Sequence, residues 1–307
     1  MKDKHTITRL YCYIIVLLIS IITLSPAFLN TEKVWGQSTV TSIKVGEHPQ
    51  NIEYNPSNGN MYVSNFDTGD ISIIDTNTSK VINTVQVNGS PNALEYNPSN
   101  GNMYVGNLGE VVMIDSNTNK VIHTLRIPHG PTFLEYNPAN GNMYVSNSES
   151  GDLTIIDSKT NKVIHTIQVD RDSNANPDTL AFNPSNGNMY GTSISNSDDS
   201  SGQVFVIDNN SNKVIRTIDG GDNMHNLVYN PSNGNMYGTS ISNSDGSGKV
   251  FVIDSDTDKV LQIVDVGDNP ADIKYNPSNG GIYVVNENSD DVSLITTTKT
   301  NSTTSTN

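Results

Sequence analysis

Short runs in which apolar and polar residues alternate fill most of the chain from residue 39 to residue 296, and they come in sets. The first full set reads "QNIEYNP", "NMYVSN", "DISIIDT" and "KVINTVQV". Alternation with period two predicts half-buried β-strands. Between the first and second runs stands "NPSNGN", where Pro fixes φ and Asn-Gly accepts positive φ, so the segment reads as a tight turn. Between the third and fourth runs stand "DTNTSK", "DSNTNK", "DSKTNK", "DNNSNK" and "DSDTDK". Asp75, Asp115, Asp157, Asp208 and Asp254 lead them, each a carboxylate able to accept from nearby backbone N–H groups.

The set repeats. The aromatic before "NP" falls at Tyr54, Tyr96, Tyr136, Phe182, Tyr229 and Tyr275, with spacings of 42, 40, 46, 47 and 46 residues. A period of 40 to 50 residues with four strands per repeat predicts an all-β, six-bladed β-propeller with four antiparallel strands per blade. The last repeat stops after its third run, "VSLIT", and "TTKTNSTTSTN" offers no further alternation. Ahead of the first repeat, "TVTSIKVGEHP" (residues 39–49) matches "VINTVQVNGSP" (residues 81–91) in position and pattern. The expectation is that this N-terminal strand completes the last blade, closes the ring and removes a free sheet edge.

The segments "MYVSN", "MYVGN", "MYVSN" and "IYVVN", each after "NPSNG" or "NPANG", resemble the YVTN β-propeller repeat of surface-layer-associated and secreted propellers of archaea and bacteria. The resemblance covers about residues 39 to 296. Two repeats depart from it: "GTSISNSD" follows Tyr190 and Tyr237 where a Val-x-Asn stands elsewhere. Many members of that family have seven blades, and this chain counts six. The resemblance implies the fold and an envelope or extracellular setting, not an activity, because propellers carry unrelated functions on one frame.

Three domains follow from the pattern. Residues 1–36 contain Lys2, Lys4 and Arg9 ahead of "YCYIIVLLISIITL" (residues 11–24) and then "SPA", the form of a signal peptide or an N-terminal membrane anchor. Residues 37–296 form the propeller. Residues 297–307 are a flexible Ser/Thr/Asn-rich tail. The chain is expected outside the cytoplasm, secreted or at the cell surface, touching the membrane only if the leader stays attached. Its only cysteine, Cys12, lies in the leader, so the rest offers no disulfide, thiolate metal site or cysteine nucleophile. The formal net charge of -15, with no Lys/Arg cluster, excludes nucleic acid as a partner.

Candidate chemistry falls on the face formed by inter-blade crossings and second-to-third-strand loops, since the opposite face is uniform. The crossings bring His48, His129, Arg171 and His225; the ends of the second strands bring Asn65, Asn107, Asn147 and Asn286, amides able to hold a polar ligand such as a sugar. These eight residues are the candidate ligand-binding set, and each also has a purely structural reading, as an exposed or capping histidine or a strand-ending amide. Glu53, Glu95, Glu135 and Lys274 share one position of the innermost strand, either as an arc along the channel or as a solvated charge row. No loop completes a calcium cage, no zinc spacing occurs, and no cofactor is expected. H-E-x-x-H, G-x-S-x-G and a complete P-loop are absent.

The function expected is a non-enzymatic binding module or envelope component with an unknown protein or glycan partner. The alternative is a lactonase-like or lyase-like enzyme on the same face. Asn77, Asn88, Asn209 and Asn301 are sequons. From the second-strand Tyr to the Asp ending the third strand, blades four and five take 18 and 17 residues against 13, 11 and 13 in the first three, which predicts two raised hairpins flanking the channel mouth.

Overall fold

The structure is a computed structural model and describes residues 42–128, 130–169, 175–195, 201–277 and 279–296. Six antiparallel sheets follow one another along the chain, each a simple meander. Blade one is β1 (Pro49–Asn55), β2 (Asn60–Asn65), β3 (Asp70–Asp75) and β4 (Lys80–Gln86). Blade two is β5 (Ala93–Asn97), β6 (Asn102–Asn107), β7 (Glu110–Asp115) and β8 (Lys120–Arg126), and blade three is β9 (Pro131–Asn137), β10 (Asn142–Asn147), β11 (Asp152–Asp157) and β12 (Lys162–Gln168). Blade four is β13 (Ala175–Phe182), β14 (Met189–Ser195), β15 (Ser201–Asp208) and β16 (Lys213–Asp222). Blade five is β17 (Met224–Asn230), β18 (Asn235–Ile241), β19 (Gly248–Asp254) and β20 (Lys259–Val266). Blade six has three strands among the described residues: β21 (Pro270–Tyr275), β22 (Ile282–Asn286) and β23 (Asp291–Ile295).

The expected N-terminal strand is not formed in the described chain. Residues 42–45 pair with no strand, and residues 39–41 lie outside the described residues. What is formed is its exit. Phe66 N–H donates to His48 O at 3.0 Å and Asp67 N–H to Glu47 O at 3.3 Å. Glu287 N–H and Asn288 N–H do the same to Asn269 O and Asp268 O at the entrance to blade six, at 3.0 and 3.2 Å. The two crossings read "VGEHP" and "VGDNP", with His48 and Asn269 both at positive φ.

The core lies between blades. Tyr62, Ile71 and Ile73 of blade one pack on Leu94, Tyr96, Met103 and Val105 of blade two, and equivalent residues repeat at each later junction. The departure from the Val-x-Asn pattern in blades four and five has a packing cause. Gly191 stands opposite Phe205, and Gly238 opposite Phe251, where blades one to three pair Val with Ser, Val or Thr. A Cβ on Gly191 would sit 2.1 Å from the Phe205 ring, so the ring fills the space a valine vacates.

The turns explain the repeated motif. Asn55 Oδ1 accepts from Ser57 N–H at 2.9 Å, closing the turn that Gly59 completes at positive φ. The Asn58 amide then donates to the Ser116 carbonyl of blade two at 3.0 Å, and Tyr62 Oη donates to Asn119 Oδ1 at 3.0 Å. The motif is therefore a clasp between neighbouring blades.

Candidate functional site

The innermost strands carry side chains to the mouth on the crossing face. There β13 and β17 each depart from regular register, between Pro177 and Leu180 and between Met224 and Leu227. Such irregularities re-aim side chains at the rim of a sheet. They bring His225 Nδ1 to 3.1 Å from Asp178 Oδ2, across the junction of blades four and five. The Thr179 hydroxyl donates to the His225 carbonyl at 3.0 Å and meets the Thr192 hydroxyl at 3.0 Å, holding the pair in place. The His225 side chain remains 30% exposed, so part of the ring faces solvent.

His48 forms a second, separate pair: its Nδ1 lies 3.4 Å from Asp67 Oδ2 and its ring meets Phe66 edge-on. His48 and His225 are thus each tied to a different carboxylate. His129 and Arg171 lie outside the described residues, as does the tip of the blade-four hairpin at residues 196–200. The blade-five hairpin is formed, with Ser242 N–H on Ser247 O at 2.9 Å. His123 and His165 are exposed on outer strands.

The four candidate asparagines are buried, with their amides hydrogen-bonded inside the protein. The amides of Asn65, Asn147 and Asn286 donate to Asp70, Asp152 and Asp291 and to the hydroxyls of Ser72, Thr154 and Ser293. Blade two has Val112 where the hydroxyl would be, and Asn107 instead donates to the Val87 and Asn88 carbonyls. These amides fix the second-to-third-strand loops.

Glu95 and Glu135 are not a solvated row. Glu95 Oε1 accepts from Tyr136 N–H and Glu135 Oε1 from Phe182 N–H, each at 3.3 Å and each across a junction. Burial pushes the Glu53 and Glu135 carboxyls up to about 7, and burial with the neighbouring Glu135 and Glu53 carboxyls holds Glu95 well above the usual range. Lys274 lowers Glu135 electrostatically. At the same position blades four and five carry Ala181 and Val228. Lys274 Nζ is 3.3 Å from Asp272 Oδ1.

Sequence reasoning missed Asp178 as a partner. Its only signal was position, an acid in the crossing "NANPDTL" one blade before His225. Among the sequons, Asn77 and Asn88 are exposed; the Asn209 side chain accepts from the Asn137 amide at 3.3 Å, inside a junction; Asn301 lies outside the described residues. Among the described residues no group of three or more His, Cys, Asp or Glu is placed to hold a metal ion.

A family model described as Cytochrome D1 heme domain matches residues 37–187. No curated protein matches the chain. Among solved structures, hydrazine synthase of Kuenenia stuttgartiensis superposes with a TM-score of 0.69 at 19% identity, covering 84% of this chain and 80% of that one. The β-propeller domain of Myceliophteria thermophila Cps50 (Swd1) gives 0.63 at 12% identity, covering 84% and 89%. The WD40 β-propeller domain of Doa1 gives 0.60 at 13% identity, covering 84% and 81%. At these identities the likeness shows the fold: the chain is a β-propeller.

Proposed function

We propose that this propeller is an exported, non-enzymatic binding module, secreted or held at the cell surface, whose protein or glycan ligand docks on the crossing face around His225 and His48. The observation that carries it is the contrast between faces. On the turn face the polar side chains of the repeat are spent on turns and clasps. On the crossing face the His48–Asp67 pair, on loops, and the His225–Asp178 pair, at irregular starts of β13 and β17, stand partly exposed at positions that differ from blade to blade. Variable loops on a repeated scaffold are where recognition concentrates. The test is a screen of envelope glycans and surface proteins with the parent and with His225→Ala and Asp178→Asn. Loss of the captured ligand at unchanged melting temperature supports the reading; undiminished capture by both variants overturns it.

The same pair favours one alternative, a lactonase-like or lyase-like enzyme. Asp178 holds one ring nitrogen and leaves the other to take a proton, the arrangement of a general base. Turnover of a lactone or uronate panel that is abolished by His225→Ala would select it.

The matched family's description names a haem, and the described residues of this chain do not fit one. A haem brings carboxylate side chains that seek cations. On the innermost strands are Glu53, Glu95 and Glu135, whose charged forms burial already disfavours, and one ammonium, Lys274, already beside Asp272. A further anion there is disfavoured.

The proposal includes closure by residues 39–45 as the fourth strand of blade six. Supporting it are the alternation of that segment and the crossing it leads into, whose hydrogen bonds match those after β20. Deleting residues 39–45 is expected to cost several kcal/mol, the scale of a strand's packing. A variant that melts within a few degrees of the parent contradicts it. Export, with residues 1–36 as leader, is tested by N-terminal sequencing of protein from the native envelope.

A further inference from the structure

The clasp recurs with the same atoms at four junctions. Tyr62, Tyr104, Tyr144 and Tyr190 donate to Asn119, Asn161, Asn212 and Asp258 at 2.7 to 3.0 Å. Beside them Asn58, Asn100, Asn140 and Asn186 donate to the carbonyls of Ser116, Ser158, Asn209 and Ser255. Each receptor is the third-to-fourth-strand turn of the following blade, with its Asn or Asp at positive φ. The turn of blade one keeps its internal cap, since Asp75 Oδ1 accepts from Thr78 N–H at 2.7 Å, and keeps positive φ at Ser79. The side-chain receptor differs: Ser79 stands where the following turns carry Asn or Asp. A serine hydroxyl ends one bond short of an asparagine oxygen. Thr76 is exposed, and its hydroxyl is spent on Gly59 O of its own blade.

Blade six nevertheless keeps the donors. Asn279 donates to Tyr283 Oη at 2.6 Å, and Tyr283 is partly exposed where Tyr62, Tyr104, Tyr144, Tyr190 and Tyr237 are fully buried. Its outward face is apolar and open, with Val285, Val292 and Leu294 exposed by 45%, 56% and 50%. The complementary face of blade one, Ile52 and Tyr54, is exposed by 57% and 48%, whereas its counterparts Leu94 and Tyr96 are buried against blade one. By the repeat, these two faces are each other's partners.

We infer that the joint between blades six and one is an unclasped seam, at which the ring opens and closes while the clasped junctions stay fixed. The absence of the side-chain receptor at one turn, rather than of donors at the other, makes the seam a property of blade one's sequence.

The test is electron–electron distance measurement on the full chain in a Cys12→Ser background, with spin labels on exposed residues. The pair at Asn83 and Asn288 of blade six spans the seam; the pair at Asn83 and Leu108 of blade two spans one clasped junction. The seam pair is expected to give a distance distribution at least twice as broad as the control. Ser79→Asn supplies the receptor, at a φ asparagine tolerates, and is expected to narrow the seam distribution to the width of the control. Adding Tyr283→Phe is expected to restore the breadth. Equal widths in the parent, no narrowing in Ser79→Asn, or narrowing that survives Tyr283→Phe would each overturn the inference.

Discussion

Replacing Glu135 by Gln should make the fold more stable at pH 8 and change its stability far less at pH 5. The Glu135 carboxyl ordinarily titrates near 4.5 and is pushed up to about 7 in the fold, chiefly by burial. Below 4.5 both folded and unfolded chains hold the proton, and the group costs nothing. Between 4.5 and 7 the unfolded chain ionises first, so stability falls as pH rises, and above 7 the full cost is present. At 1.36 kcal/mol per pKa unit the cost is about 3 kcal/mol. For a domain of this size that corresponds to roughly 6–10 °C in melting temperature. Gln keeps the acceptor for Phe182 N–H while removing the charge, and it also relieves Glu95, which Glu135 raises. Thermal and urea unfolding of parent and variant at pH 5, 6, 7 and 8 is the assay. The parent should lose stability across that range and Glu135→Gln should lose much less. Parallel curves would refute the picture of buried, mutually opposed carboxyls. The turn carboxylates work in the opposite sense: backbone and side-chain hydrogen bonds hold Asp115, Asp157, Asp208 and Asp254 below the usual value, so their contribution is lost as pH falls below about 4.

Two further substitutions probe the frame. Tyr104→Phe deletes two hydrogen bonds, to Asn161 and from Asn100, at an expected cost of about 1–3 kcal/mol in chemical denaturation; a loss under 0.5 kcal/mol would deny the clasp its role. Gly191→Val overfills the space held by the Phe205 ring and should cost about 1–3 kcal/mol, largely recovered by Phe205→Thr in the same chain; additive losses would contradict the exchange of volumes.

The blades were legible because each strand announces itself by alternation and each turn by Asn-Gly or a leading Asp, both local signals. The role of the second-strand asparagines was also written in the chain. Asn65, Asn147 and Asn286 accompany Ser72, Thr154 and Ser293, whereas Gly191 and Gly238 accompany Phe205 and Phe251. Reading repeats against one another, rather than each against solvent, would have shown that the amides serve the blade. The clasp was harder to see, since Tyr62 and Asn119 are 57 residues apart and joined by one hydrogen bond. Of the His225–Asp178 pair only His225 was picked out in the sequence, and Asp178 had no signal beyond its position. The pairing depends on register shifts in β13 and β17, which periodicity does not encode. Glu53, Glu95 and Glu135 were found in one register, but only the inter-blade packing distinguishes a buried arc from a charged surface row.

The central claim is that the repeated motif is frame and the crossing face is where the molecule binds, and one comparison tests it most directly. Ligand affinity and melting temperature should be measured together, at a temperature where all chains are folded, for the parent, Tyr104→Phe, and the double variant His225→Ala with Asp178→Asn. The account predicts that Tyr104→Phe lowers the melting temperature and keeps the affinity within twofold, while the double variant keeps the melting temperature and loses affinity at least tenfold. The reverse pattern, with binding lost on the turn face and kept on the crossing face, would contradict it.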